Sequence, residues 1–254
     1  MISIEVQNIF KQFGEVVALN GCSLSFSAGV IHGIIGPEGA GKTTLLRILL
    51  GLLDCKAGEF VYFKNGESMA FKAVRDHIAY MPETQSLYGD LSIEEHMRFF
   101  KDMYEVSDKE YEEKSAELLS LTRLHKFKDR PAGKLSGGMY KKLGLICALL
   151  RSPQVMLLDE PTNGVDPISR REFWDLLYNL VRKNRITVLM ATAYMDEAER
   201  CTHVHLMERG RVLAEGEPKS LLTRFAVRNF DELFLRHADT DANVAANTGN
   251  GATI

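Results

Sequence analysis

Apolar residues along this chain alternate between two rhythms. Short unbroken runs such as Val30-Ile31-His32-Gly33-Ile34-Ile35 and Val155-Met156-Leu157-Leu158 read as buried strands. Longer stretches carry helical spacing. The first run enters a glycine-rich turn, and Thr44-Leu45-Leu46-Arg47-Ile48-Leu49-Leu50 continues as a helix. Glu59–Phe63 and Ile78–Met81 are further strand candidates. From about Thr84 to Pro153 the pattern turns mostly helical. Ser92-Ile93-Glu94-Glu95 forms a capping box, and Ile93, Met97, Phe100 and Tyr104 then recur on one helical face, a stripe whose usual meaning is core packing. A second helix is predicted over Lys109–Leu121. After Pro153 strand and helix alternate again over Gln154–Leu158, Ser169–Arg182, Ile186–Ala191, Met195–Cys201, Val204–Met207 and Arg211–Ala214. This alternation predicts an α/β core. Pro218 to His237 reads as short amphipathic helices. From about Ala238 the residues are small and polar and predict a disordered tail.

Composition narrows the picture little. A length of 254 residues suits one large domain, or a core with a subdomain. A net charge of -3 gives no basic excess for nucleic acid, which is not expected as a partner, local patches aside. Cys22, Cys55, Cys147 and Cys201 are scattered without a C-x-x-C, which predicts free thiols in a reducing compartment. His203 and His205 lie near Cys201, but alternating His203-Val204-His205-Leu206 reads as a strand with one polar face rather than a metal site. Met1-Ile2-Ser3-Ile4-Glu5-Val6 has no signal-peptide pattern, and no stretch approaches the ~20 apolar residues of a membrane span. Work at a membrane would be done from the cytoplasm, through a partner.

Three local patterns carry chemistry. Gly36-Pro37-Glu38-Gly39-Ala40-Gly41-Lys42-Thr43 fits G-x-x-x-x-G-K-[ST], after a strand and before a helix. Its glycines let backbone N–H groups cradle phosphates, and the helix N-terminus adds partial positive charge. Lys42 is expected on the β- and γ-phosphates and Thr43 on Mg²⁺. Asp159 and Glu160 end the apolar run from Val155. Two acids there are costly unless something binds them, and ligands of α/β sheets lie at that end. Asp159 is the expected Mg²⁺ holder, and Glu160 the group that orients or deprotonates the attacking water. Ser136-Gly137-Gly138 opens a helix whose exposed N–H groups suit an anion, though the tripeptide alone favours an ordinary serine cap with flexible glycines.

Taken in order, these motifs resemble the ATP-binding subunits of ATP-binding-cassette (ABC) transporters, from about Ile4 to Pro218. Leu135-Ser136-Gly137-Gly138-Met139 is similar to the family signature. Phe13 resembles the aromatic that stacks on adenine, and Thr44 completes the phosphate loop. Asn163-Gly164-Val165-Asp166 resembles the loop through which two cassettes touch. Pro161 to Pro167 with Ser169-Arg170-Arg171, Tyr194-Met195-Asp196-Glu197-Ala198-Glu199 and Phe230-Asp231-Glu232-Leu233-Phe234 are similar to the ABC-2 exporter group. The segment from Asp129 to the signature is similar to its double-cassette, ribosome-associated-ATPase-like members.

The resemblance implies a P-loop NTPase, RecA-like core with a small antiparallel β part and an inserted helical subdomain at about 84–153, within a cassette over 1–237. It implies ATP and Mg²⁺ as ligands, and two cassettes closing head to tail over two ATP. The signature of each would complete the site of the other. It also implies integral membrane subunits as partners and a place on the cytoplasmic face of the inner membrane. A soluble ABC ATPase on ribosomes or nucleic acid is the alternative.

Two positions depart from the family. Glu83 stands where Gln is usual, with Gln85 two residues on, and Ala193 stands at the switch His. The expectation is a slow site in this chain, paired with a different cassette whose site is intact.

Overall fold

The computed structural model describes residues 1–84 and 86–236. Two sheets stack with one helix between them. The first has four antiparallel strands in the order β2-β1-β4-β5: β1 (Ile2–Phe13), β2 (Val16–Phe26), β4 (Ala57–Lys64) and β5 (Glu67–Met69). The second has six strands in the order β10-β9-β3-β8-β7-β6. Its members are β3 (Ile31–Ile35), β6 (Ile78–Met81), β7 (Val155–Asp159), β8 (Thr187–Thr192), β9 (His203–Glu208) and β10 (Arg211–Gly216). All pair in parallel except β10, which runs antiparallel to β9 along one edge.

Period-two alternation sorts the strand residues into two cores. Val155 and Leu157 of β7 and Leu189 and Ala191 of β8 face α1 (Lys42–Leu49) and the four-stranded sheet. Their neighbours Met156, Leu158, Val188 and Met190 face the opposite layer. That layer holds α5 (Gly137–Leu149), α6 (Pro167–Asn184) and the buried Trp174. Burial on both faces is why these strands read as continuous apolar runs.

The intervening helices are α2 (Phe71–Val74), α3 (Ile93–Met103) and α4 (Asp108–Thr122). Ser92 accepts from Glu95 N and Glu95 accepts from Ser92 N, so the capping box is complete. Ile93 and Met97 are fully buried, with Phe100 and Tyr104 packed beside them. The last elements are α7 (Pro218–Arg224) and a helical segment at 230–236. The segment 195–200, which carries a helical pattern in sequence, winds as a 3-10 helix. The tail expected from Ala238 and the residue Gln85 lie outside the described residues. Among the described residues no helix is long and apolar enough to cross a membrane.

Candidate functional site

The carboxyl ends of β3 and β7 open into a cavity of about 600 Å³. β3 delivers the chain to residues 36–41, and Gly41 then starts α1 with φ +100°. A Cβ there would meet Ala18 O at 2.4 Å, so only glycine lets the loop turn this tightly against β2. Glu38, Gly39, Ala40, Gly41, Lys42, Thr43 and Thr44 line one wall. Gly36 and Pro37 sit behind it and offer their carbonyls to Lys42 Nζ at 2.8 and 3.0 Å.

Glu160 stands in the opposite wall, with Asp159 buried behind it. Lys42 Nζ lies 3.2 Å from Glu160 Oε1, and both side chains are largely buried. Glu160 Oε2 accepts from the backbone N–H of Ala193 at 3.1 Å. Glu160 adopts φ +45°, an uncommon conformation for a side-chain-bearing residue. Strain of this kind persists where surrounding contacts hold it, and it is typical of reactive positions. Asp159 is buried and accepts from Thr43 Oγ1 at 2.8 Å and from Tyr80 OH at 3.1 Å.

Burial raises the pKa of both carboxyls. For Asp159 the nearby Glu83 adds to the rise, and for Glu160 the Lys42 ammonium opposes it. Tyr80 is pushed up to about 12 by burial and by Asp159. Thus of the two adjacent buried acids Glu160 pairs with Lys42, while Asp159 is held by two hydroxyls. A threonine hydroxyl 2.8 Å from a carboxylate is a hard oxygen pair, and it fits Mg²⁺. A bound Mg²⁺ would supply charge for phosphate oxygens there.

The two departures from the family also face this cavity. Glu83 and Ala193 line it with Asn163 and Tyr194. Asn163 Nδ2 donates to Glu83 Oε1 at 3.3 Å, and Tyr194 OH donates to Asn163 Oδ1 at 3.2 Å. Lys141 Nζ donates to the carbonyls of Glu83 and Glu160 at 3.2 and 3.3 Å. Ala193 presents a methyl group and its backbone N–H, and no side-chain donor. Below, Thr162 Oγ1 donates to the buried Glu197 at 2.7 Å, tying the strand end after Glu160 to the segment after Ala193.

Other expected residues lie elsewhere. Phe13 ends β1 opposite Val16 with its ring exposed and Lys11 Nζ 5.1 Å from its centroid. It is not part of the cavity wall, where Val16 and Ala18 stand instead. Ser136, Gly137 and Gly138 are also away from the cavity. Ser136 caps α5 by accepting from Met139 N at 3.3 Å, and Gly138 abuts Ser169. Tyr80, Lys141 and Tyr194 are site residues that sequence reading passed over. Tyr80 carried one usable signal: a polar group on a strand beside the one ending in Asp159.

β9 is the expected strand, with His203 and His205 on one face. Cys201 is not with the histidines; its Sγ is buried and donates to Glu197 O at 3.5 Å. On this face His205 is fully buried and His203 half-buried. Glu215 of β10 joins His203 and His205, with donor atoms all within 4.8 Å of one another.

The chain matches a family model described as ABC transporter over residues 19–163. It is 44% identical over 203 residues to the probable multidrug ABC transporter ATP-binding protein YbhF of Escherichia coli K12. That alignment covers 80% of this chain and 35% of the relative. The chain therefore spans about a third of that relative's length. It is 36% identical over 220 residues to the Nod factor export ATP-binding protein I of Burkholderia orbicola, covering 86% and 72%. A solved structure of an ATP-binding subunit of an ABC transporter is 28% identical and superposes with a TM-score of 0.79, covering 92% of this chain and 98% of that one.

Proposed function

This chain belongs to the ABC transporter family of ATP-binding proteins, and on that premise we propose that it binds and hydrolyses ATP for an export complex. Lys42 and the loop N–H groups of Gly39, Ala40 and Gly41 hold the phosphates. Thr43 and Asp159 hold Mg²⁺. Glu160 accepts the proton of the attacking water. The name of the Nod factor export relative supports the direction of transport.

The cassette pairs head to tail with a second, different cassette. Its own site is the slower of the two. The observation that carries this is Ala193, which reaches Glu160 only through its backbone N–H at 3.1 Å. A family histidine there would add a donor for the γ-phosphate, whereas Glu83 adds a carboxylate. Ser136, Gly137 and Gly138 complete the faster site on the partner. Membrane subunits dock from the bilayer side, and the chain works on the cytoplasmic face of the inner membrane. The exposed Tyr88 and Phe99, paired edge to face at 5.5 Å, offer an apolar contact for them.

Affinity purification from detergent-solubilised membranes tests the reading. The expected set is a membrane protein plus a second cassette carrying the switch histidine. Recovery without any membrane protein would sink the transport proposal. Turnover by the purified chain alone at ~1–10 per second, an ordinary enzyme rate, would sink the slow-site proposal.

A further inference from the structure

On the far side of the six-stranded sheet from the helical layer, three adjacent strands carry a line of polar groups. His32 of β3 pairs in register with His203 of β9, and His205 of β9 pairs with Glu215 of β10. His32 and His205 are fully buried, with Phe26 of β2 set against both rings at 5.2 and 4.8 Å. His203 is half-buried and Glu215 exposed. The cluster sits toward the amino-terminal end of β3, away from the phosphate loop at its carboxyl end.

Counting protons along this line exposes a gap. Ser27 O lies 3.0 Å from His32 Nε2 and, as a carbonyl, can only accept. His32 Nε2 therefore carries the hydrogen, and a neutral His32 has a bare Nδ1. That Nδ1 is 3.2 Å from His205 Nε2, so His205 must donate there. A neutral His205 then has a bare Nδ1, and that lone pair points at a carboxylate oxygen of Glu215 at 3.1 Å. Two acceptors face each other. Two neutral imidazoles supply two hydrogens for three links, and the third takes a proton or a metal ion. A metal ion there would also engage His203, whose donor atom lies within 4.8 Å of the other two and which a proton would leave out.

We propose that a first-row divalent ion, Zn²⁺ by the chemistry of its donors, is held by His205 Nδ1, His203 and Glu215. Two imidazoles and a carboxylate form a common zinc ligand set. The relay from His205 through His32 to Ser27 O supplies the second hydrogen bond that fixes a ligating imidazole in one tautomer. Tetrahedral zinc at 2.0–2.1 Å from each ligand would bring donor atoms to roughly 3.3 Å apart. The present span of up to 4.8 Å closes by rotation of His203 and Glu215, which solvent reaches, onto the fixed His205. The fourth position faces solvent. The ion clasps the edge strand β10 to β9, whose connecting turn donates from Gly210 N to Ala40 O at 3.0 Å behind the phosphate loop.

The test titrates Zn²⁺ into the chelator-stripped full chain carrying Asp159→Asn, so that the phosphate-loop oxygens cannot account for uptake. A competing chromophoric chelator reads affinity, and Co²⁺ absorption reads geometry. The expected result is one equivalent bound and a tetrahedral Co²⁺ spectrum. Adding His203→Ala with Glu215→Gln should weaken binding at least about 100-fold while circular dichroism stays unchanged. Those two side chains are chosen because solvent reaches them and folding tolerates their loss; Glu215→Gln alone serves if the pair misfolds. No stoichiometric uptake, or uptake indifferent to these substitutions, overturns the proposal.

Discussion

The two halves of the nucleotide machinery are built differently on this chain. The phosphate-loop half is self-contained. Lys42, Thr43, Asp159 and Glu160 come from two separate segments, yet each touches another at 2.8–3.2 Å. Ser136, Gly137 and Gly138 touch none of them, and the helix they open reaches Glu160 only through Lys141 Nζ, 3.3 Å from its carbonyl. The Ser136 side chain caps Met139 N and its carbonyl accepts from Tyr140 N, and the two glycines lie against Gly164 and Ser169. A site already occupied by its own side chains needs no second chain to hold its shape. The exposed N–H groups at the start of α5 are open to water or to a ligand from outside the chain. This contrast is the physical support for head-to-tail pairing.

The largest test removes the acid of the self-contained half. Glu160→Gln in the purified chain should lower kcat by about 10²–10⁴ while ATP binding, read with a fluorescent analogue, persists. The pH profile sharpens this. Burial raises the Glu160 pKa, and a base works only when deprotonated. The acid limb of kcat should therefore lie above the ordinary carboxylate range, with activity lost as pH falls through it. The limb should vanish in Glu160→Gln. An unchanged limb would mean that another group governs hydrolysis.

The next test asks whether the self-contained half is also impaired. Ala193→His, with Glu83→Gln, should raise turnover by up to about 10²-fold by restoring a donor at the γ-phosphate. Equal rates before and after would show that the Ala193 N–H to Glu160 is arrangement enough. Gly138→Ala probes the other half. Its new Cβ would stand 2.4 Å from Ser169 Cβ, and such overpacking costs about 1–3 kcal/mol. The midpoint of thermal unfolding should fall about 2–4 °C for each kcal/mol, with ATP affinity at the phosphate loop unaltered. Lost affinity would mean that the halves are coupled within one chain.

What the sequence reveals follows the same division. The phosphate loop, the acids after Leu158 and the Ser92 cap are contiguous strings, each with a local mechanism, and all are legible. Contacts that join distant segments are not. Tyr80 to Asp159 spans 79 residues and His32 to His205 spans 173, and the alternation of β9 shows a polar face without its neighbours. The long strands β1 and β2 are also hard to read. Register shifts at Val6, Ile9 and Lys11 and a positive φ at Asn8 break their period of two. Phe13 was read by resemblance as an adenine contact, and it stands beside the wall rather than in it.

The smallest effect separates a cap from a site. Ser92 and Ser136 both cap helices. Ser92 does so reciprocally with Glu95, at 3.2 and 2.7 Å, whereas Ser136 has only its 3.3 Å bond from Met139 N. Losing a serine cap costs about 1 kcal/mol, and the reciprocal cap belongs at the upper end. Ser92→Ala should thus lower unfolding stability more than Ser136→Ala, by some tenths of a kcal/mol in denaturant titration. If Ser136 serves only α5, its loss should be silent in the assembled ATPase. If it serves a phosphate held by another chain, the order of effects reverses in that assay. Ser136→Ala then slows the complex and Ser92→Ala does not.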